Sequence, residues 1–360
     1  MMMPFKKIAV KIGSNVITRT DGTLDITRIS AIVDQIAYLH KRGIRIVLIS
    51  SGAVASGRSV MGLSKKMDTV DQRQLFSTIG QAKLINHYWE LFREHNIVVG
   101  QVLTTKDNFG SRRLYLNQRN CIELMLDNNV IPIINENDAV SVSELMFTDN
   151  DELSGLVASM VNAETLIILS NIDGVYDGSP SDTNAKVIRE IKKGQNISTV
   201  VQTSKSTFGR GGMHTKINIA KKVADEGIEV YITNGKKENI IVKLLNGDKD
   251  VIYTRFIAAT TEVSSVKKWI AHSDGFAKGE IHINKDAASA LLGEKAVSLL
   301  PVGVMYILGK FEKDDIVKVV TETGKTIGVG KTQYDSEKAK QIIGKKNQRP
   351  IIHCDYLYLD

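Results

Sequence analysis

Short β-branched runs alternate with amphipathic segments from Ile8 to Ile232, and this alternation limits the fold more than any other feature of the 360-residue chain. Ile8–Ile12, Ile44–Ile49, Ile97–Leu103, Val130–Ile134, Leu166–Leu169 and Ile228–Ile232 are strand-sized and mostly apolar throughout, the pattern of strands covered on both faces. Between them, Ile26–Arg42 carries Ile29, Ile32, Val33, Ile36 and Leu39 at helical spacing. Asp71–His95, Leu114–Asp127, Asp151–Asn162 and Thr215–Gly227 also read as helices. Gly43 and Gly227 stand where a helix is commonly ended by glycine. Repeated βα units of this kind imply an α/β fold: a three-layer α/β/α sandwich with a mainly parallel sheet. Ligands of such sheets bind beyond the carboxyl ends of the strands. The loops after Ile12, Ile49, Ile134 and Leu169 are therefore the ones to inspect.

The pattern changes after Phe256. Ala258–Ser273 is small and polar and reads as a linker. From Phe276 the strands become short (Gly279–Ile283, Val304–Leu308, Ile316–Val320, Ile327–Gly330), with one helix, Lys285–Leu292. The expected division is residues 5–258, a linker 259–275, and a small, mostly-β domain 276–354. Gly324–Thr332 (GKTIGVGKT) imitates a phosphate loop, but its first glycine is one residue too far upstream and no helix follows. It reads as a hairpin turn.

Composition narrows the function. Two cysteines, Cys121 and Cys354, exclude a disulfide scaffold and a cysteine-based zinc site. No apolar run approaches the ~20 residues of a membrane helix, and no secretory signal is visible, so a cytoplasmic protein with no membrane association is expected. The net charge of +7 suits anionic ligands without choosing among them. Residues 276–360 hold 13 Lys/Arg against 11 Asp/Glu, too even a balance for a nucleic-acid tail.

Five segments carry candidate chemistry. Lys11-Ile12-Gly13-Ser14-Asn15 ends the first strand with a lysine on a rigid element and a glycine that allows close approach to a phosphate. An ordinary strand-ending turn is the alternative. Ser50–Arg58 (SSGAVASGR) runs from the second strand into a helix start, where unpaired N–H groups can seat an anion. Its small residues could equally serve close packing. Asn135-Glu136-Asn137-Asp138 follows the Val130–Ile134 strand and suits recognition of an ammonium group, unless it is merely solvated. Phe147-Thr148-Asp149-Asn150-Asp151 has more acid and amide groups than helix capping needs. Gly209–Lys216 (GRGGMHTK) is a glycine-rich loop opening a helix, with a lysine placed to reach a terminal phosphate.

In this order the segments VKIGSN, ISSGAVASGR, INENDAV, DND and GRGGMHTK resemble the amino acid kinase family over nearly the whole chain. Lys278–Val320, with KGEIHINKDAASALL and SLLPVG, looks like a PUA domain. The resemblance implies the amino acid kinase fold and transfer of the ATP γ-phosphoryl group to the side-chain carboxylate of L-glutamate, the first step of proline biosynthesis. It further implies Mg²⁺, inhibition by L-proline and a homo-oligomer. Carried over residue by residue, Ser51, Gly52, Ala53, Asp138 and Asn150 would bind glutamate. Lys11 and Lys216 would contact the migrating phosphoryl group, with Asp151 holding both. Lys11, Gly13, Ser170, Asn171, Arg210, Gly211, Gly212, Met213, His214, Thr215 and Lys216 would form the nucleotide site. No protein ligand for the metal is assigned. Ser170-Asn171 stands where the family often has Thr-Asp, and Arg210 and His214 replace smaller residues. His214 gets no catalytic role, because an acceptor that is already an anion needs no general base. An RNA-binding or RNA-modifying PUA protein is the competing reading.

Overall fold

The computed structural model describes residues 5–61, 69–141, 147, 150–179, 182, 184–195, 212–260, 265–271, 274–293 and 296–359. In chain order the elements are β1 Lys7–Ile12, α1 Ser14–Ile17, α2 Ile26–His40, β2 Arg45–Ile49, α3 Ala53–Met61, α4 Thr69–Arg93, β3 Val99–Thr104, α5 Asp107–Gly110, α6 Arg112–Asp127, β4 Ile131–Glu136, α7 Asn150–Met160, β5 Thr165–Ser170, β6 Glu190–Ile191, α8 Met213–Asp225, β7 Glu229–Asn234, α9 Ile240–Asn246 and β8 Tyr253–Phe256. There follow α10 Ser265–Ala271, β9 Gly279–Ile283, α11 Lys285–Leu291, β10 Val304–Gly309, β11 Ile316–Thr321, β12 Thr326–Thr332, α12 Ser336–Ile342 and β13 Ile352–Leu359. Contacts divide the chain into two compact units: residues 1–106 with 117–262, and 107–116 with 263–360.

The first unit holds an eight-stranded sheet in the order β3-β4-β2-β1-β5-β7-β8-β6. Strands β3 to β7 pair in parallel, β8 runs antiparallel to β7, and β6 is parallel to β8. The two-residue period of a strand sorts its side chains between faces. Ile8, Val10 and Ile12 of β1 join a core with Ile29, Ile32 and Ile36 of α2, Tyr88 and Phe92 of α4, and Ile241 of α9. Ala9 and Lys11 point to the other face, over which α7 packs, with α8 against α7. Burying a lysine among such strands costs free energy unless it is paired, so the position of Lys11 already asks for a partner on α7.

Glycine decides how closely two helices of this unit approach. A Cβ on Gly57 of α3 would lie 1.8 Å from the carbonyl oxygen of Phe76, and one on Gly80 of α4 would lie 1.8 Å from that of Ala53. The small residues of SSGAVASGR therefore do serve packing: they let α4 sit against α3.

The second unit is a five-stranded sheet, β10-β9-β11-β12-β13, antiparallel except for the parallel pair β9–β11. Ile281, Ile283, Val317, Val319 and Ile352 lie in its core. Residues 324–332 form part of the turn and the second strand of the β11–β12 hairpin, with Gly324 at φ +78°. The stretch read as linker contains α10, whose Trp269 is buried and donates from Nε1 to the Phe109 carbonyl at 2.8 Å. Two buried apolar side chains, Trp269 and Ile270, anchor a segment that is otherwise rich in small and polar residues. The last strand runs to Leu359, past the expected end at 354, because it pairs with β12. No helix among the described residues is long and apolar enough to cross a membrane.

Candidate active site

The carboxyl ends of β1, β2, β4 and β5 open onto one cavity of about 450 Å³. Lys11, Gly13, Ser51, Gly52, Ala53, Asp138, Asn150, Asp151, Ser170, Asn171 and Lys216 all line it. These residues come from six separate segments, and the four loops singled out in the sequence all contribute.

At its centre Asp151, fully buried in the first turn of α7, receives Lys11 Nζ on Oδ1 at 2.5 Å and Lys216 Nζ on Oδ2 at 2.8 Å. Burial alone would push the carboxyl up. The two ammonium groups outweigh it and hold Asp151 well below the usual carboxylate range. One anion thus keeps two cations together, leaving a local surplus of positive charge facing the cavity.

Asn150 binds the loops to one another. Its amide nitrogen lies 2.8 Å from both the Ser50 carbonyl and Ser51 Oγ, and 3.1 Å from Asn135 Oδ1. Asn135 donates in turn to Gln81 Oε1 at 2.8 Å, and Ser50 Oγ shares a hydrogen bond with the Tyr88 hydroxyl at 2.8 Å. The nitrogen of Asn150 is therefore engaged within the protein, and it fixes Ser51. Gly52 adopts φ +100°, a conformation that L side chains rarely reach, and turns the chain from β2 into α3.

Gly13 differs from expectation. Its N–H donates to the Leu169 carbonyl at 3.0 Å, extending the β1–β5 ladder, so that N–H is not available to a phosphate. The glycine is required because a Cβ would lie 2.9 Å from the same oxygen. Gly212, Met213, His214 and Thr215 open α8 with Gly212 as its N-cap, and only Lys216 of this run is among the cavity's described lining. Arg210 and Gly211 lie outside the described residues, as do Thr148 and Asp149. Ser170 is buried and Asn171 exposed at the rim.

The side chain that sequence reasoning missed is Arg73, near the start of α4. It pairs with Asp138 and approaches Glu136 Oε2 at 3.4 Å. Glu136 accepts from the Phe147 N–H at 3.0 Å through its other oxygen. Burial, and then the Asp138 charge, raise the Glu136 carboxyl to about 7 against the opposing pull of Arg73. Asp138 is also raised by burial, with Arg73 opposing. Nothing in the local sequence marks Arg73, which is one of three Lys/Arg residues in a 25-residue helix.

A fold of this topology with a lysine–aspartate–lysine centre defines a class. Residues 6–234 match the model of the amino acid kinase family, and residues 279–353 match that of the PUA domain. The chain belongs to the amino acid kinase family, with a PUA domain at its carboxyl end. It is 64% identical over the full length of both chains to a glutamate 5-kinase of Bacteroides thetaiotaomicron. It is 45% identical to a glutamate 5-kinase of Chlorobaculum tepidum, over 99% of this chain and 98% of that one. Among solved structures, a carbamate kinase from Giardia lamblia aligns over 72% of this chain and 100% of its own with a TM-score of 0.51 at 18% identity, a likeness of fold.

Proposed function

We propose that this chain is a glutamate 5-kinase, transferring the γ-phosphoryl group of ATP to the side-chain carboxylate of L-glutamate in the first step of proline biosynthesis. The observation that carries the chemistry is the pairing of Lys11 and Lys216 on the two oxygens of Asp151. The full-length likeness to glutamate 5-kinases supports the choice of acceptor.

One carboxylate oxygen of glutamate attacks the γ-phosphorus, the bond from that phosphorus to the β,γ-bridging oxygen breaks, and ADP departs with the electron pair. The nucleophile is already ionised, so no base is needed. The barrier is the approach of two anions, and its remedy is fixed positive charge. Lys11 and Lys216 supply that charge from a strand end and a helix start, where neither has to reorganise during transfer. Asp151 prevents their mutual repulsion from separating them. Ser51, held by Asn150, and the Gly52-Ala53 backbone position the acceptor, and Asp138 offers its counter-charge to the ammonium group.

Mg²⁺ belongs to the same reading. Among the described residues, the carboxylate beside the lysines, Asp151, is held by both of them, and Asp138 and Glu136 lie against Arg73. The residues present therefore fit a metal carried on the nucleotide phosphates, where it supplies charge neutralisation. Ser170 and Asn171 lie at the nucleotide end together with the start of α8. A cytoplasmic location, self-association and inhibition by L-proline complete the proposal.

Purified protein incubated with ATP, Mg²⁺, L-glutamate and hydroxylamine should form γ-glutamyl hydroxamate. Turnover with aspartate, N-acetylglutamate or UMP, but not with glutamate, would transfer the chain to a sister activity.

A further inference from the structure

Arg73 has no part in the phosphoryl-transfer chemistry above, yet it lines the same cavity as Lys11 and Lys216. Its place is set by the rigid glycine seam between α3 and α4: Phe76, whose carbonyl meets Gly57, lies one helical turn further along α4. Its guanidinium meets two buried carboxylates, Asp138 and Glu136. The cavity thus has two charged regions. One is the lysine pair on Asp151, and the other is a cation flanked by two acids.

An acceptor with a side-chain carboxylate and a free α-amino acid head carries three charges. The lysine region takes the side-chain carboxylate. Asp138 can answer the α-ammonium, but an α-carboxylate brought close to Asp138 and Glu136 would be repelled unless a cation faced it. A guanidinium has five donors in a planar fork, so it can keep one carboxylate while receiving another. We propose that Arg73 determines specificity for the α-carboxylate of the acceptor: Arg73 takes that carboxylate while Asp138 takes the α-ammonium, so the pair reads the zwitterionic head of an unmodified α-amino acid. This rests on the glutamate kinase reading and names the residue that would separate glutamate from acids lacking the α-carboxylate.

The test compares L-glutamate with 4-aminobutyrate, which keeps the ammonium and the reacting carboxylate but has no α-carboxylate. Full-length wild type, Arg73→Met and Arg73→Lys are assayed for hydroxamate formation, and 4-aminobutyrate is also scored by its inhibition constant against glutamate. In Arg73→Met, kcat/KM for glutamate should fall about 10- to 100-fold, the worth of one charge-assisted pair. The loss should lie mainly in KM. The KM for ATP should hold, 4-aminobutyrate should be nearly unaffected, and Arg73→Lys should recover part of the loss. Equal losses for both acceptors would make Arg73 a mere brace and overturn the proposal while leaving the kinase reading intact, as would a wild type that accepts both equally. A wild type inert toward glutamate would overturn both.

Discussion

Lys11 Nζ lies 2.5 Å from Asp151 Oδ1, and the two side chains are almost wholly excluded from water. A single such pair would be a marginal contributor to stability, because desolvation offsets attraction. Here the carboxylate also holds Lys216, so the arrangement keeps two positive charges on one side of the cavity, where the proposed reading puts the transferring phosphoryl group.

Asp151→Asn should therefore damage both folding and catalysis. Removing one member of a buried ionic group typically costs ~3–5 kcal/mol, and the two lysines would lose their common anchor. We expect a lower melting temperature by circular dichroism and a kcat reduced ~10²-fold or more. An unchanged kcat at saturating ATP and glutamate would contradict the anchoring role.

Lys216→Met separates the two effects. The methionine keeps the apolar stem, and Lys11 still neutralises Asp151, so the fold should persist. Turnover should drop ~10²–10³-fold. Near wild-type kcat would show that the start of α8 does not serve the transferring group.

Glu136 gives a pH signature. Its folded carboxyl titrates at about 7 against an ordinary 4.5, so the folded state holds a proton that the unfolded state has released. Its contribution therefore weakens stability as pH rises from about 4.5 to about 7 and is constant above that. Glu136→Gln should flatten the wild-type decline in melting temperature over this window. A mutant profile parallel to wild type would refute it. Asp151 has the opposite sign: its stabilisation is present above the ordinary carboxylate range and is lost only as pH falls below it.

Gly80→Ala tests the α3–α4 seam. The added methyl would meet the Ala53 carbonyl at 1.8 Å, a backbone atom that cannot rotate away. We expect a loss of at least ~1–3 kcal/mol in denaturant unfolding. The KM for glutamate should also rise, because Ala53 and Arg73 are displaced together. A silent substitution would mean that the helices separate freely and that Arg73 is not rigidly placed.

The second unit shows where local pattern fails. The 259–275 stretch looks like a linker because most of its residues are small or polar, but Trp269 and Ile270 are buried and a helix forms around them. The strand Ile352–Leu359 is also illegible in the sequence, since it is held by β12 and by a bridge from Ile352 to Leu299, both distant in sequence. In both, contacts distant in sequence supply the free energy that local propensity lacks.

Sequence alone determined the βα alternation, the parallel sheet and the loops that line the cavity, because strand and helix periodicities are written into neighbouring residues. It also pointed to Lys11, Asp151 and Lys216, since their segments resemble a known family. Only the tertiary structure decided that Gly13 serves the β1–β5 ladder, that Asn150 ties the strand ends, and that Arg73 meets Asp138. Those facts depend on where separate segments lie in space. A guanidinium and a carboxylate 65 residues apart leave no periodic trace for one dimension to show.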